Sequence, residues 1–186
     1  DDCSSRGLGD VYKRQGHIGY ADALRFSSNT FFYQVGVGAG SKALKRAADQ
    51  LGFQQKTGIE IGWEESVGLV GDETWAAAGR GWAEPGTVPW IPEDMASASI
   101  GQSVVQITPL QLARAYAVFA NGGWLVTPHL AQGTTDWLDA DHRRKVPMKA
   151  STLATIRAGL RKVVTAGTGF GLNGPGIPTA AGKTGT

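Results

Sequence analysis

The sequence predicts a mixed α and β fold built as one unit. Segments with the 3.6-residue period of an amphipathic helix alternate with short runs patterned like strands. The 186 residues are enough for one domain with a packed core. Gly is abundant, at 27 residues, which fits many tight turns between such elements.

Residues 1–15, "DDCSSRGLGDVYKRQ", are polar and show neither period. They read as a leader foreign to the fold, disordered or adapter-derived, and the domain is set at residues 16–186. "GHIGYADALRFSSNTFFYQVG" predicts two helical pieces with Ala21, Leu24, Phe32 and Val35 buried. Ser27-Ser28-Asn29 forms their junction, because these side chains compete with the backbone for hydrogen bonds. "SKALKRAADQLG" predicts a helix capped by Ser41, with Leu44, Ala47, Ala48 and Leu51 on one face and Gly52 closing it. "TGIEIG" is expected as a short strand. Residues 62–95 lack a regular period but carry Trp63, Trp75, Trp82 and Trp90, which argues against plain disorder.

"QITPLQLARAYAVFANGG" is the clearest helix. Thr108 caps it, Pro109 takes the first helical position and Gln111 completes a capping box. Leu112, Tyr116 and Phe119 recur at i, i+4 and i+7, and Asn121-Gly122-Gly123 ends the run. "WLVTPHL" predicts a strand, and residues 132–147 a polar connection. "STLATIRAGLRKVVTAG" predicts a helix with Leu153, Ile156, Leu160 and Val163 on its apolar face. After a Gly-rich stretch, "TAAGKTGT" alternates as a strand would.

Several function classes drop out. A net charge of +2 with no basic run gives no reason to expect nucleic acid. No stretch approaches the roughly 20 apolar residues that span a bilayer. Cys3 is the only cysteine, and His17, His129 and His142 are too scattered for a metal motif, so no metal is expected. "GKT" invites a phosphate-loop reading, but the glycine such a loop needs is Ile177 here. A hydrolase elbow around Ser103 fails because Val105 replaces its second glycine.

Lys183-Thr184-Gly185 remains, with Ser27-x-Asn29 far upstream. Ser-x-Asn alone weighs little, since its chance expectation is roughly one-half per chain of this size. Order and context add the weight. From Gly16 onward, "SSNTFFYQVG", "ASIGQSVVQITPLQLARAYAVFANGG" and "AAGKTGT" stand in the order of the motifs of class B penicillin-binding proteins. The chain resembles the transpeptidase domain of that family. The Trp-bearing loop before Ile100-Gly101-Gln102 is closer to its elongation type, penicillin-binding protein 2, than to its septal type.

The resemblance implies the penicillin-binding protein and serine β-lactamase fold, with helices packed on an antiparallel sheet that is incomplete here. It implies a peptidoglycan D,D-transpeptidase of the serine-type D-Ala-D-Ala carboxypeptidase family, with no cofactor. On that pattern Ser27 relays a proton, Asn29 hydrogen-bonds the substrate amide, and Lys183 supplies positive charge. Thr184 and Thr186 bind the substrate carboxylate, Gly185 keeps the strand surface clear, and the Thr186 N–H forms half of an oxyanion hole. Implied partners are peptidoglycan stem peptides, β-lactam antibiotics and a glycan-polymerising membrane protein, at a bacterial inner membrane with the domain facing the periplasm. A non-enzymatic β-lactam sensor of the same fold is the alternative, and a β-lactamase is disfavoured for want of a water-activating residue.

One element of the family pattern is missing. No serine in this sequence has lysine three residues on: Ser5 meets Leu8, Ser27 meets Thr30, Ser41 meets Leu44 and Ser151 meets Ala154. The expectation is a piece of an enzyme that lacks the nucleophile and its base, truncated at both ends and inactive by itself.

Overall fold

The computed structural model describes residues 18–61, 63–131, 142–176 and 179–185. The chain divides into two compact units, residues 1–31 with 154–186, and residues 32–153. No described helix is long and apolar enough to cross a membrane.

The larger unit holds all the described strands, in two two-stranded antiparallel sheets. Helix α1 (Tyr20–Arg25) precedes this unit, and α2 (Asn29–Ala39) leads into it. Then come α3 (Ser41–Gln50), β1 (Leu69–Val70), α4 (Glu73–Ala77), α5 (Pro92–Ala98) and β2 (Val105–Gln106). They are followed by α6 (Pro109–Ala120), β3 (Trp124–Val126), β4 (Arg143–Lys145) and α7 (Ala150–Ala166). β1 pairs with β2, Leu69 opposite Gln106, and β3 pairs with β4, Leu125 opposite Arg144. Val118 of α6, Leu125 of β3 and Val146 form the core, with Leu51 and Met148 packed against them.

The α6 N-terminus forms as its sequence dictates. The Thr108 hydroxyl accepts the Gln111 N–H at 3.1 Å, and Gln111 Oε1 accepts the Thr108 N–H at 2.9 Å. Gln111 is 1% exposed, and its Nε2 also donates to the carbonyls of Gln55 and Val67. The buried stripe of α6 is therefore Gln111, Ala115 and Val118, one residue ahead of the expected one, and Leu112 is 43% exposed.

Other expectations need correction. Gly40, not Ser41, stands at the N-cap of α3, where no side chain caps the helix; Ser41 is already its first residue, and its hydroxyl donates to the Glu73 carboxylate. Val35 is 50% exposed, while Ala23 and Leu24 of α1 are buried. Of "TGIEIG", residues 57–61 form no strand, and Gly62 lies outside the described residues. The backbone N–H groups of Thr57 and Gly58 go to the Glu65 carboxylate and so are not available to a strand ladder.

Residues 62–95 contain β1, α4 and the start of α5 as well as loop. Asp72 caps α4 by accepting the Trp75 N–H at 2.8 Å. The Arg80 guanidinium forks onto Asp94, at 2.9 and 2.5 Å, and also donates to the Pro89 carbonyl. That fork holds the Asp94 carboxyl below the usual carboxylate range. Arg80 lies 5.7 Å from the Trp75 ring centroid, whereas Trp63 and Trp82 are 75% and 74% exposed. Two of the four tryptophans thus contribute little to packing.

In the smaller unit, α1 lies against the C-terminal half of α7. A β-carbon at Gly159 would come within 2.5 Å of Leu24 Cδ1, so the absent side chain sets the approach. Leu160 and Val163 are buried as expected. Residues 179–185 form no strand. A strand needs a ladder partner, and here the segment is held to α7 instead. The Gly182 N–H donates to the Leu160 carbonyl at 3.2 Å, and Arg161 donates to the Ala180 carbonyl at 2.6 Å.

Candidate active site

The site starts with how α1 ends. The Ser28 N–H donates to the Ala23 carbonyl at 2.9 Å and the Ser27 N–H to the Leu24 carbonyl at 3.1 Å. These are the paired bonds of a Schellman closure. Ser27 fills its left-handed position, at φ 53°, where glycine is the usual residue. A side chain there costs about 1–2 kcal/mol. Strain of this kind clusters at functional sites, where the surroundings hold it in place.

Ser28 turns the chain onward. Its hydroxyl accepts the Phe31 N–H at 3.4 Å and so supports the first turn of α2. Arg25 then ties this turn to the end of α7. Its Nε donates to the Ala166 carbonyl at 2.6 Å, and its own carbonyl accepts the Thr168 N–H at 3.2 Å. Gly167 makes the approach possible, since a β-carbon there would lie 2.4 Å from the Arg25 carbonyl oxygen and 2.9 Å from that of Val163.

With the backbones fixed, four side chains converge. Lys183 Nζ donates to Ser27 Oγ at 2.5 Å and to the Thr184 carbonyl at 2.9 Å. Thr168 and Thr184 hydroxyls are 2.7 Å apart, and Ser27 Oγ lies 3.3 Å from Thr168 and 3.5 Å from Thr184. Burial pushes the Lys183 ammonium below the ordinary lysine range. Among the described residues its hydrogen-bond partners are hydroxyl and carbonyl oxygens, with no carboxylate. A partly desolvated cation with neutral partners, ringed by hydroxyl groups, is equipped to receive an anion and to pass a proton.

Ser27, Lys183 and Thr184 are therefore brought together as the motifs imply. Asn29 is the exposed first residue of α2, and no described hydrogen bond joins it to the cluster. Gly185 is exposed beside it, and Thr186 lies outside the described residues. Thr168 was missed by sequence reasoning. Its only signal is its place between Gly167 and Gly169, in a stretch read simply as Gly-rich. Among the described residues no group of three His, Cys, Asp or Glu side chains could hold a metal ion.

Residues 4–186 match the model of the penicillin-binding protein transpeptidase domain. The chain belongs to that family. The matched span includes residues 4–15, which lie outside the described residues. Peptidoglycan D,D-transpeptidase MrdA of Acinetobacter baumannii is 32% identical over 183 residues, covering 94% of this chain and 26% of the relative. The chain thus spans about a quarter of that relative's length. Penicillin-binding protein 2 of Helicobacter pylori, solved in complex with MreC, superposes with a TM-score of 0.73 at 27% identity, over 90% of this chain and 30% of that one. A chain of a peptidoglycan synthase complex that coordinates polymerisation and crosslinking matches with a TM-score of 0.73 at 31% identity, over 90% of this chain and 27% of that one. The mixed helix and sheet fold read from the sequence is that of penicillin-binding transpeptidase domains.

Proposed function

We propose that this chain is part of a serine-type peptidoglycan D,D-transpeptidase that joins cell-wall stem peptides by acyl transfer. The observation that carries the reading is the 2.5 Å contact of Lys183 Nζ with Ser27 Oγ, which joins two motifs 156 residues apart. In the proposed reaction a serine oxygen attacks the carbonyl between the two D-alanines, and the C–N bond breaks. The departing D-alanine takes up a proton as its amine. A second stem peptide's amine then displaces the serine, and splitting the transfer in this way lowers each barrier.

Ser27, held by the Lys183 ammonium, passes the proton to the departing amine. Lys183 and the Thr184 hydroxyl receive the terminal carboxylate of the substrate, and the same pair receives the carboxylate of a β-lactam. Asn29 orients the substrate amide, Gly185 leaves room for its backbone, and the Thr186 N–H contributes to an oxyanion hole. This sequence has no Ser-x-x-Lys, so the attacking serine is not among these residues.

The relatives support the wider setting. The solved neighbours include a complex with MreC and a synthase that couples polymerisation to crosslinking. By analogy the whole protein works at the inner membrane, faces the periplasm and acts beside a glycan-polymerising partner. A fluorescent penicillin tests the reading on two proteins: this chain, and the chain extended through its natural coding sequence. Covalent label on the extended protein alone is expected. Label on the 186-residue chain, or on neither, overturns the assignment.

A further inference from the structure

Thr168 has no role in the motifs, yet it sits between Ser27 and Thr184. We infer that Thr168 is a positioning residue, the middle link of a one-way hydroxyl chain that leaves Thr184 as the group donating outward to a substrate carboxylate. The inference rests on the transpeptidase reading and deepens it.

The direction is drawn outward from the ammonium along the shorter hydroxyl contacts. An ammonium can only donate. Lys183 Nζ donates to Ser27 Oγ at 2.5 Å, so before a substrate amine forms the single proton of Ser27 is directed away from Lys183. The nearer hydroxyl is Thr168, at 3.3 Å against 3.5 Å for Thr184. Thr168, having accepted, donates its own proton to Thr184 Oγ1 at 2.7 Å, the shortest hydroxyl pair in the site. Lys183 is also 3.4 Å from Thr184 Oγ1, again as donor. Thr184 is then doubly approached by donors, and its proton is free to point to solvent, where Thr184 is exposed. Chains of this kind polarise each member along one direction. Without Thr168 the order has no relay: Ser27 competes directly for Thr184, and the Thr184 hydroxyl loses its fixed orientation.

The backbone is built for this. The Thr168 N–H is anchored on the Arg25 carbonyl, two residues before Ser27, so both hydroxyls hang from one bonded turn. Thr168 is itself exposed, so its side chain contributes to the site and little to packing.

The test uses the extended protein and compares acylation by a penicillin free acid with acylation by its methyl ester, which lacks the carboxylate charge. Thr168→Val keeps the branched shape and removes the hydroxyl. It is expected to slow acylation by the acid roughly tenfold, the loss of about one charge-assisted hydrogen bond. The rate with the ester is expected to change less than about twofold, so the acid-to-ester ratio falls. Thr168→Ser is expected to restore the ratio. Thr168→Ala repeats the measurement with a side chain that cannot crowd the turn, and serves if the valine variant does not fold. An unchanged ratio in the folded hydroxyl-free variant overturns the role of Thr168 alone. No label on the unsubstituted extended protein overturns the transpeptidase reading and this inference with it.

Discussion

Ser27 occupies a backbone position that favours glycine, and this yields a sharp prediction on stability. Replacing it with glycine or with alanine removes the same hydroxyl, so the loss of the bond from Lys183 cancels between the two variants. What differs is the backbone. Alanine keeps the left-handed strain of about 1–2 kcal/mol that glycine releases. Glycine in turn gives the unfolded chain about 0.4–1 kcal/mol more conformational freedom to lose. The balance leaves Ser27→Gly more stable than Ser27→Ala by about 0.5–1 kcal/mol. For a chain of this size that is a difference of about 1–4 °C in melting temperature. Urea denaturation followed by circular dichroism on the two variants side by side reads it directly. Equal stabilities, or a more stable alanine variant, would mean that Ser27 does not sit at φ 53°, and the geometric basis of the site would fail with it.

Gly167→Ala places a β-carbon 2.4 Å from the Arg25 carbonyl oxygen, so it should cost about 3 kcal/mol in overpacking and lost hydrogen bonds. Gly171→Ala, with nothing within 4 Å, should be close to neutral in the same melt. Gln111→Leu strands the Thr108 N–H and the carbonyls of Gln55 and Val67, and should destabilise by about 3 kcal/mol or more, measurable by urea titration. Lys183, lowered by burial, should lose its charge before an ordinary lysine as pH rises. Between its folded value and the unfolded value of about 10.4 the unfolded state binds more protons, so stability rises with pH while acylation of the extended protein falls. Lys183→Met should abolish both slopes.

The sequence was legible where the cause is local. Thr108, Pro109 and Gln111 lie within one turn, and the capping box forms from those residues alone. The apolar stripe of α7 was equally readable, because Leu160 and Val163 are spaced by the helix itself. Reading failed where a distant partner decides. Thr57 and Gly58 look like strand residues until the Glu65 carboxylate takes their N–H groups. The segment containing Lys183 alternates as a strand would, yet its bonds go to Leu160 and Arg161. On α6, the long apolar Leu112 drew the expected face to the wrong side, because the buried position belongs to a polar Gln111 with three distant or capping bonds. Within the site, the motif residues were found by pattern and Thr168 was not, since a threonine between two glycines carries no periodic or motif signal.

Strain and charge point the same way in this site. A serine at a glycine position and a lysine half-buried without a described carboxylate partner each cost folding stability. The neighbouring Thr168, Thr184 and Gly185 are exposed and add little packing of their own. The hydroxyl cluster gives back part of the cost by supplying acceptors to the ammonium, but neutral oxygens leave the positive charge uncancelled. A bound carboxylate would cancel it, and the left-handed turn holds Ser27 Oγ against Lys183. A purely structural cluster would have been more stable with glycine at position 27 and an acid beside Lys183. The arrangement makes physical sense as one prepared for an anion that is not part of the chain, and electrostatic preparation of this kind is where much of an enzyme's rate acceleration originates.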